Sequence, residues 1–268
     1  ALAKSLAGAF AGLLDGLRSN RPERRVAARD LLLARRVQQH FLPQSALRIP
    51  GYSVAEAYVP ARAVGGDHYE FFRYRDHRTG IIIADVSGKA VSAALVMARF
   101  GMAVRLLASQ ASGPLELLVT LNILLLDELE TGMFVTAQAL ALSAEDGQLE
   151  IANAGHPLPL LRSHVGSVEA LILESGAPLG ADARTAFRSS AHAFEAGACL
   201  LLYTDGLDEA ENDRGEALGI ERVIAGIRTC SDARTVLEAV NATHAAFVGS
   251  AAPTDDLTLI ALGRDAGP

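Results

Sequence analysis

From residue 51 onward the chain is divided into short runs rich in β-formers, each too brief for a helix. They fall at 52–59, 68–75, 81–86, 134–142 and 148–154, then at 158–162, 168–173, 187–194, 199–204 and 257–262. Gly80, Asp146-Gly147 and Val165-Gly166 supply turn chemistry between neighbours. The helical patterns stand apart, at about 91–109 and 114–130 in the middle and at 216–228 and 233–248 before the last run. Strands and helices that do not alternate argue against a βαβ fold. They predict antiparallel sheets flanked by helices, an α+β layered sandwich.

A chain of 268 residues that is 50% apolar, with mean hydropathy +0.23, can bury a large core and is not a disordered polymer. Its longest stretch without a formal charge, residues 239–254, is shorter than the ~20 residues of a spanning helix. Cys199 and Cys230 lack metal-ligand spacing and read as buried free thiols rather than a disulfide framework. No secretory signal is visible, and a start at Ala1 reads as a piece of something longer. These features point to a cytoplasmic protein.

Charge is unevenly placed. Residues 1–50 hold nine basic and three acidic residues, and the remainder holds 15 basic and 28 acidic. An acidic body disfavours phosphate backbones and so excludes nucleic acid as a partner; it suits a protein that collects cations. In the basic segment, Leu2, Leu6, Phe10, Leu13 and Leu17 make one helical face with nearly heptad spacing. Asn20 can cap a second helix, with Pro22 in its first turn and Glu23 in the capping-box position. Its apolar face is Val26, Leu33, Val37 and Phe41; Arg24, Arg25, Arg29, Arg35 and Arg36 form either a solvated face or a partner surface.

The chemistry is carried by the aspartates. Asp67 follows Gly65-Gly66 at a strand entry, and Asp85 and Asp205 each end an apolar run beside turn residues. Asp255 and Asp256 come just before the last strand. Strand ends hold side chains still, and neighbouring glycines admit a ligand to the backbone. If these ends converge, two carboxylates ~4 Å apart repel by roughly 4 kcal/mol at an effective dielectric near 20. Protons or hard cations such as Mg²⁺ or Mn²⁺ must then offset that repulsion, and two such ions can clamp an in-line phosphoryl displacement. For any one aspartate, a turn or cap role is the plain alternative.

The same residues resemble the SpoIIE-like group of bacterial metal-dependent protein phosphatases (PPM, protein phosphatase 2C-like). The resemblance rests on five motifs in order: residues 64–70, 84–89, Asn153-Ala154-Gly155-His156, 203–210 and Asp255-Asp256-Leu257-Thr258. The lead-in Ala34–Pro43 agrees as well, so about residues 30–264 are covered. Diguanylate cyclases also carry a Gly-Gly-Asp turn, but there Glu/Asp-Phe follows, and here His68-Tyr69 does.

The resemblance implies a four-layer αββα sandwich with two Mn²⁺ or Mg²⁺ ions at one end of the sheets. It implies hydrolysis of phosphoserine or phosphothreonine on a protein by a metal-bridged hydroxide. The expected substrate is a STAS-type anti-sigma-factor antagonist. Carried onto this chain, Asp85 bridges both metals, the Val86 carbonyl adds a ligand, and Asp67, Asp205 and Asp255 complete the shell. Asp256 rivals Asp255, Glu209 stands where an accessory metal can bind, and His156 is a candidate for substrate contact or proton donation. Ser87 falls where eukaryotic relatives carry a general-acid His; Glu70 and Ala90 replace the group's usual Asp and Gly. The implied organisation is N-terminal regulatory helices over 1–43 and a phosphatase domain over 44–268. The helices would pair two protomers and pass a signal from an upstream sensor. The competing function is a catalytically poor binding module that sequesters a signalling partner.

Overall fold

The structure is a computed structural model that describes residues 14, 15, 17, 22–43, 47–88, 90–130 and 132–266. The stripe Leu2, Leu6, Phe10 and Leu13, the Asn20 cap and Lys89 lie outside the described residues, as does the dimer contact expected of the first helix. Helix α1 (Pro22–Gln39) leads into β1 (Tyr52–Val59), β2 (His68–Arg73) and β3 (Thr79–Val86). Two helices follow, α2 (Val91–Leu107) and α3 (Pro114–Leu126). Then come β4 (Val135–Ser143), β5 (Gln148–Ala154), β6 (Leu160–Arg162), β7 (Val168–Ala170), β8 (Ser175–Gly176), β9 (Ser189–Ala193) and β10 (Cys199–Tyr203). Helices α4 (Ile220–Ile227) and α5 (Ala233–Val248) precede β11 (Leu257–Arg264).

One sheet has the order β1-β11-β10-β6-β7; the other has β2-β3-β4-β5-β8, with β9 also on β5. Every pairing is antiparallel except the two-residue contact of β5 with β8. That contact makes the second sheet mixed. Helices α2 and α3 cover the second sheet, and α4 and α5 cover the first. The expected α+β, αββα sandwich is therefore present.

Strand β3 shows why this sequence builds four layers. Side chains alternate across a strand. Ile81 and Ile83 enter the core between the sheets with Leu140, Leu200 and Ile260. Ile82, Ala84 and Val86 enter the core under the helices with Met97, Phe100 and Leu121. Burial on both faces explains the unbroken apolar run. Ala137, Ala139, Ala141, Ala152 and Ala154 line the helix side of β4 and β5, so small residues let α2 and α3 sit close.

Helix α1 departs from the pattern. Its expected apolar face is turned outward: Val26 is 59% exposed, Leu33 50% and Val37 59%. Phe41, just past the helix, does pack against the helix-side core. The buried residues of α1 are Ala28, Arg35 and Gln38, so one of the arginines assigned to a solvated or partner face is inside. The surface that α1 meets explains this. It includes main-chain groups of the Gly65 loop, which need polar partners.

Replacing Ile83 with Ala removes packing from a fully enclosed site and is expected to cost about 2–5 kcal/mol. Leu33→Ala is expected to stay within about 0.5 kcal/mol. Urea unfolding of both variants checks the assignment of core and surface.

Candidate active site

His68 pairs with Ala84 across β2 and β3, so one step further Asp67 stands directly opposite Asp85. Asp85 is flanked on its other side by Thr136 of β4. Like charges placed opposite each other in a sheet are destabilising, so Asp67 needs partners. They come from the other sheet. Leu200 and Leu202 of β10 and Ile260 and Leu262 of β11 point between the sheets. The same alternation aims Thr204 and Thr258 inward. Their hydroxyls donate to Asp67 Oδ2 at 2.8 and 2.6 Å. The Thr204 N–H donates to the Thr258 carbonyl, and the Thr258 N–H donates to Thr204 Oγ1.

Asp205 follows β10 and Asp255-Asp256 precede β11, so these turns lie side by side. A Cβ at Gly206 would collide with the Asp256 carbonyl, which is why the turn after Asp205 carries glycine. The two neighbouring aspartates do different things. Asp256 is buried; its Oδ1 accepts the Ala61 N–H at 2.8 Å and its Oδ2 the Gly66 N–H at 2.6 Å. Asp255 is exposed, and its Oδ1 accepts the adjacent Asp256 N–H at 2.9 Å.

Electrostatics joins these groups. Burial, then the charges of Asp85 and Asp256, hold the Asp67 carboxyl well above the usual carboxylate range. Burial, then Asp205 and Asp255, push Asp85 up to about 7. Burial, then Asp255 and Glu209, raise Asp205. Among the described residues no three such side chains close on one point as a finished ligand shell. Pairwise, the carboxylates raise one another's pKa values.

The donors offered here are all oxygen, which suits a hard divalent cation. A Cβ at Gly66 would lie 2.9 Å from the Val86 carbonyl oxygen and 3.4 Å from Asp85 Oδ1, so glycine keeps that space clear. A cleft of about 20 Å³ opens there, lined by Arg62, Gly66, Asp85, Gly88, Asp255 and Asp256 among others. It has room for one or two water-sized groups. The donor set and the space fit a metal ion.

The remaining candidates spread out. Glu209 is exposed, one turn past Asp205. His156 is buried beside Thr136, with Nδ1 2.9 Å from Thr136 Oγ1, and burial lowers its pKa to about 3. Asn153 brackets it, accepting the His156 N–H and donating to its carbonyl. Ser87 Oγ accepts the Phe134 N–H at 2.8 Å. Glu70 uses its extra methylene to reach Arg105, with Nε 2.8 Å from Oε2. Ala90 has φ +62°, a backbone conformation that a residue with a side chain rarely adopts. Sequence reasoning missed Thr204, Thr258 and Arg62. The pairs Thr204-Asp205 and Leu257-Thr258 were visible beside the aspartates, but only the register shows that both hydroxyls converge on Asp67.

Ionising Asp85 is harder in the folded protein than in the unfolded chain. Its contribution therefore turns unfavourable as pH rises from about 4 through about 7. In metal-free protein Asp85→Asn is expected to raise the thermal midpoint, by a margin that widens between those pH values. A margin independent of pH would contradict the buried-charge account.

Residues 75–265 match the family model of stage II sporulation protein E (SpoIIE). The chain is 25% identical over 265 residues to protein IcfG of Synechocystis sp., covering 88% of this chain and 42% of that protein. It is 28% identical over 183 residues to phosphoserine phosphatase RsbP of Bacillus subtilis, covering 67% and 45%. To phosphoserine phosphatase RsbU of the same organism it is 25% identical over 211 residues, covering 78% and 62%. The chain thus spans about half the length of the curated relatives it matches. Among solved structures, the SiaA-PP2C domain of Pseudomonas aeruginosa superposes with a TM-score of 0.76 at 23% identity, covering 91% of this chain and 99% of that one. The RsbU and RsbW domains of Rv1364c from Mycobacterium tuberculosis give a TM-score of 0.69 at 27% identity, covering 81% and 61%. The sandwich is thus a PP2C-type fold. Because the matched region takes in well over half of the sequence, the chain belongs to the SpoIIE family.

Proposed function

We propose that this chain is a metal-dependent protein serine/threonine phosphatase that acts in the cytoplasm on a phosphorylated regulatory protein. One observation carries the reading: buried Asp67 faces Asp85 across β2 and β3, with Asp205 and Asp255 in the same field. Carboxylates crowded this way call for cations, and relatives named phosphoserine phosphatases support the choice of substrate. The substrate we favour is a STAS-type anti-sigma-factor antagonist. Residues 44–268 act as the catalytic unit, and 1–43 as a regulatory segment that receives an upstream signal.

Two Mn²⁺ or Mg²⁺ ions held at this site would supply an activated water and neutralise phosphoryl oxygens. Asp85, Asp67, Asp205, Asp255 and the Val86 carbonyl are the residues to hold them. We favour Asp255 over Asp256 because Asp256 already serves two backbone amides. Glu209 supplies a further carboxylate at the rim. Arg62, exposed at the cleft, can pair with the phosphoryl group as it enters. His156, enclosed and neutral, is held in the turn after β5 by the Asn153 side chain and bonds Thr136 beside Asp85. The leaving serine is left to take its proton from water in the open cleft.

Phosphate release from a phosphorylated STAS protein, followed with and without Mn²⁺, tests this reading. The unaltered chain is expected to turn over only with the metal. Asp85→Asn is expected to lose at least about a hundredfold with circular dichroism unchanged, and Arg62→Ala to raise KM more than it lowers kcat. Tight partner binding without metal-dependent release would instead support a sequestering module.

A further inference from the structure

Gln38 is buried on the inner side of α1 and meets a single residue with both ends of its amide. Its Oε1 accepts the Gly65 N–H at 3.1 Å, and its Nε2 donates to the Gly65 carbonyl at 2.6 Å. Both main-chain groups of Gly65 are satisfied by one side chain, 27 residues away in sequence. The next residue, Gly66, has its N–H held by Asp256 Oδ2, and the next, Asp67, has its carboxylate held by two threonines. Three consecutive residues are thus fixed from three directions. Gly65 has no freedom on its other side, because a Cβ there would collide with Asp256 Oδ2 and Tyr58 Oη. The loop is gripped between α1 and the turn before β11.

We propose that Gln38 is a positioning residue: its side-chain amide sets the backbone of the Gly65-Gly66 loop and so fixes the Asp67 carboxylate against Asp85. The proposal rests on the metal-site reading above and adds to it a residue that touches neither metal nor substrate. A loop without regular secondary structure keeps its shape only through such side-chain bonds. Loosening them lets Asp67 drift by fractions of an ångström, which a coordination shell registers as lost affinity before the fold does.

The test compares Gln38→Leu with Leu33→Ala, a control on the exposed face of the same helix, in the full chain. In metal-free protein, amide hydrogen exchange at Gly65 and Gly66 is expected to accelerate about tenfold or more in Gln38→Leu and to stay unchanged in Leu33→Ala. Calorimetric titration with Mn²⁺ is expected to show about tenfold weaker binding in Gln38→Leu, with kcat recovering toward the unaltered value at saturating Mn²⁺. Unchanged exchange and Mn²⁺ affinity, or equal changes in the control, would overturn the positioning role. If Gln38→Leu does not fold, Gln38→Glu decides. It keeps the acceptor for the Gly65 N–H but sets a carboxylate oxygen against the Gly65 carbonyl, so faster amide exchange at Gly65 and Gly66 is expected in the metal-free protein, and no shift rejects the proposal. Should the unaltered chain neither bind Mn²⁺ nor release phosphate, the phosphatase reading fails, while the metal-free exchange measurement still decides the role of Gln38.

Discussion

Two carboxylates forced face to face across a strand pair set the terms for the rest of this molecule. Asp67, buried, and Asp85, half-buried, cannot both be charged cheaply. The fold answers with hydroxyl donors from the opposite sheet. The rest of the site follows from that arrangement. The two central strands of the first sheet must end at the same level as β2 begins, so that Thr204 and Thr258 reach across. The turns before and after those strands then bring Asp205 and Asp255 into the same field.

The layered architecture makes this possible because each sheet contributes an end of itself rather than a face. Polar groups would be costly in the middle of the inter-sheet core, where Ile83, Leu140 and Ile260 meet. At the strand ends the core stops and water is near, yet the backbone is still held by the ladder. Asp256 shows the use of a carboxylate for construction alone, since it bonds the Ala61 and Gly66 amides. Its neighbour Asp255 is exposed.

Much of this was legible in the residues. The strand runs over 52–59 and 148–154 and the helix over 233–248 coincide with the observed elements, because their periodicity and turn residues agree. Strand β8, only two residues long, has no pattern to read. The aspartates stood out because each sits at a strand end, beside glycine or a turn. What could not be read was pairing at long range. The bonds from Thr204 and Thr258 to Asp67 span well over a hundred residues, and those from Gln38 to Gly65 depend on which side α1 presents. Helix α1 misleads for a physical reason. Amphipathic patterns predict burial when the partner surface is greasy, and here it is a loop rich in main-chain donors and acceptors.

Strand β3 is clamped by packing on both faces along its whole length, and Asp85 is carried near its end. A flexible loop would let repelling carboxylates swing apart into water. A strand locked into two cores cannot do so without opening both. Movement is closed off as a way to discharge the repulsion, so it is met where it stands, by holding a proton, as the raised pKa values of Asp67 and Asp85 show. In that sense the buried isoleucines of β3 convert mechanical stiffness into a raised proton affinity at the strand's end.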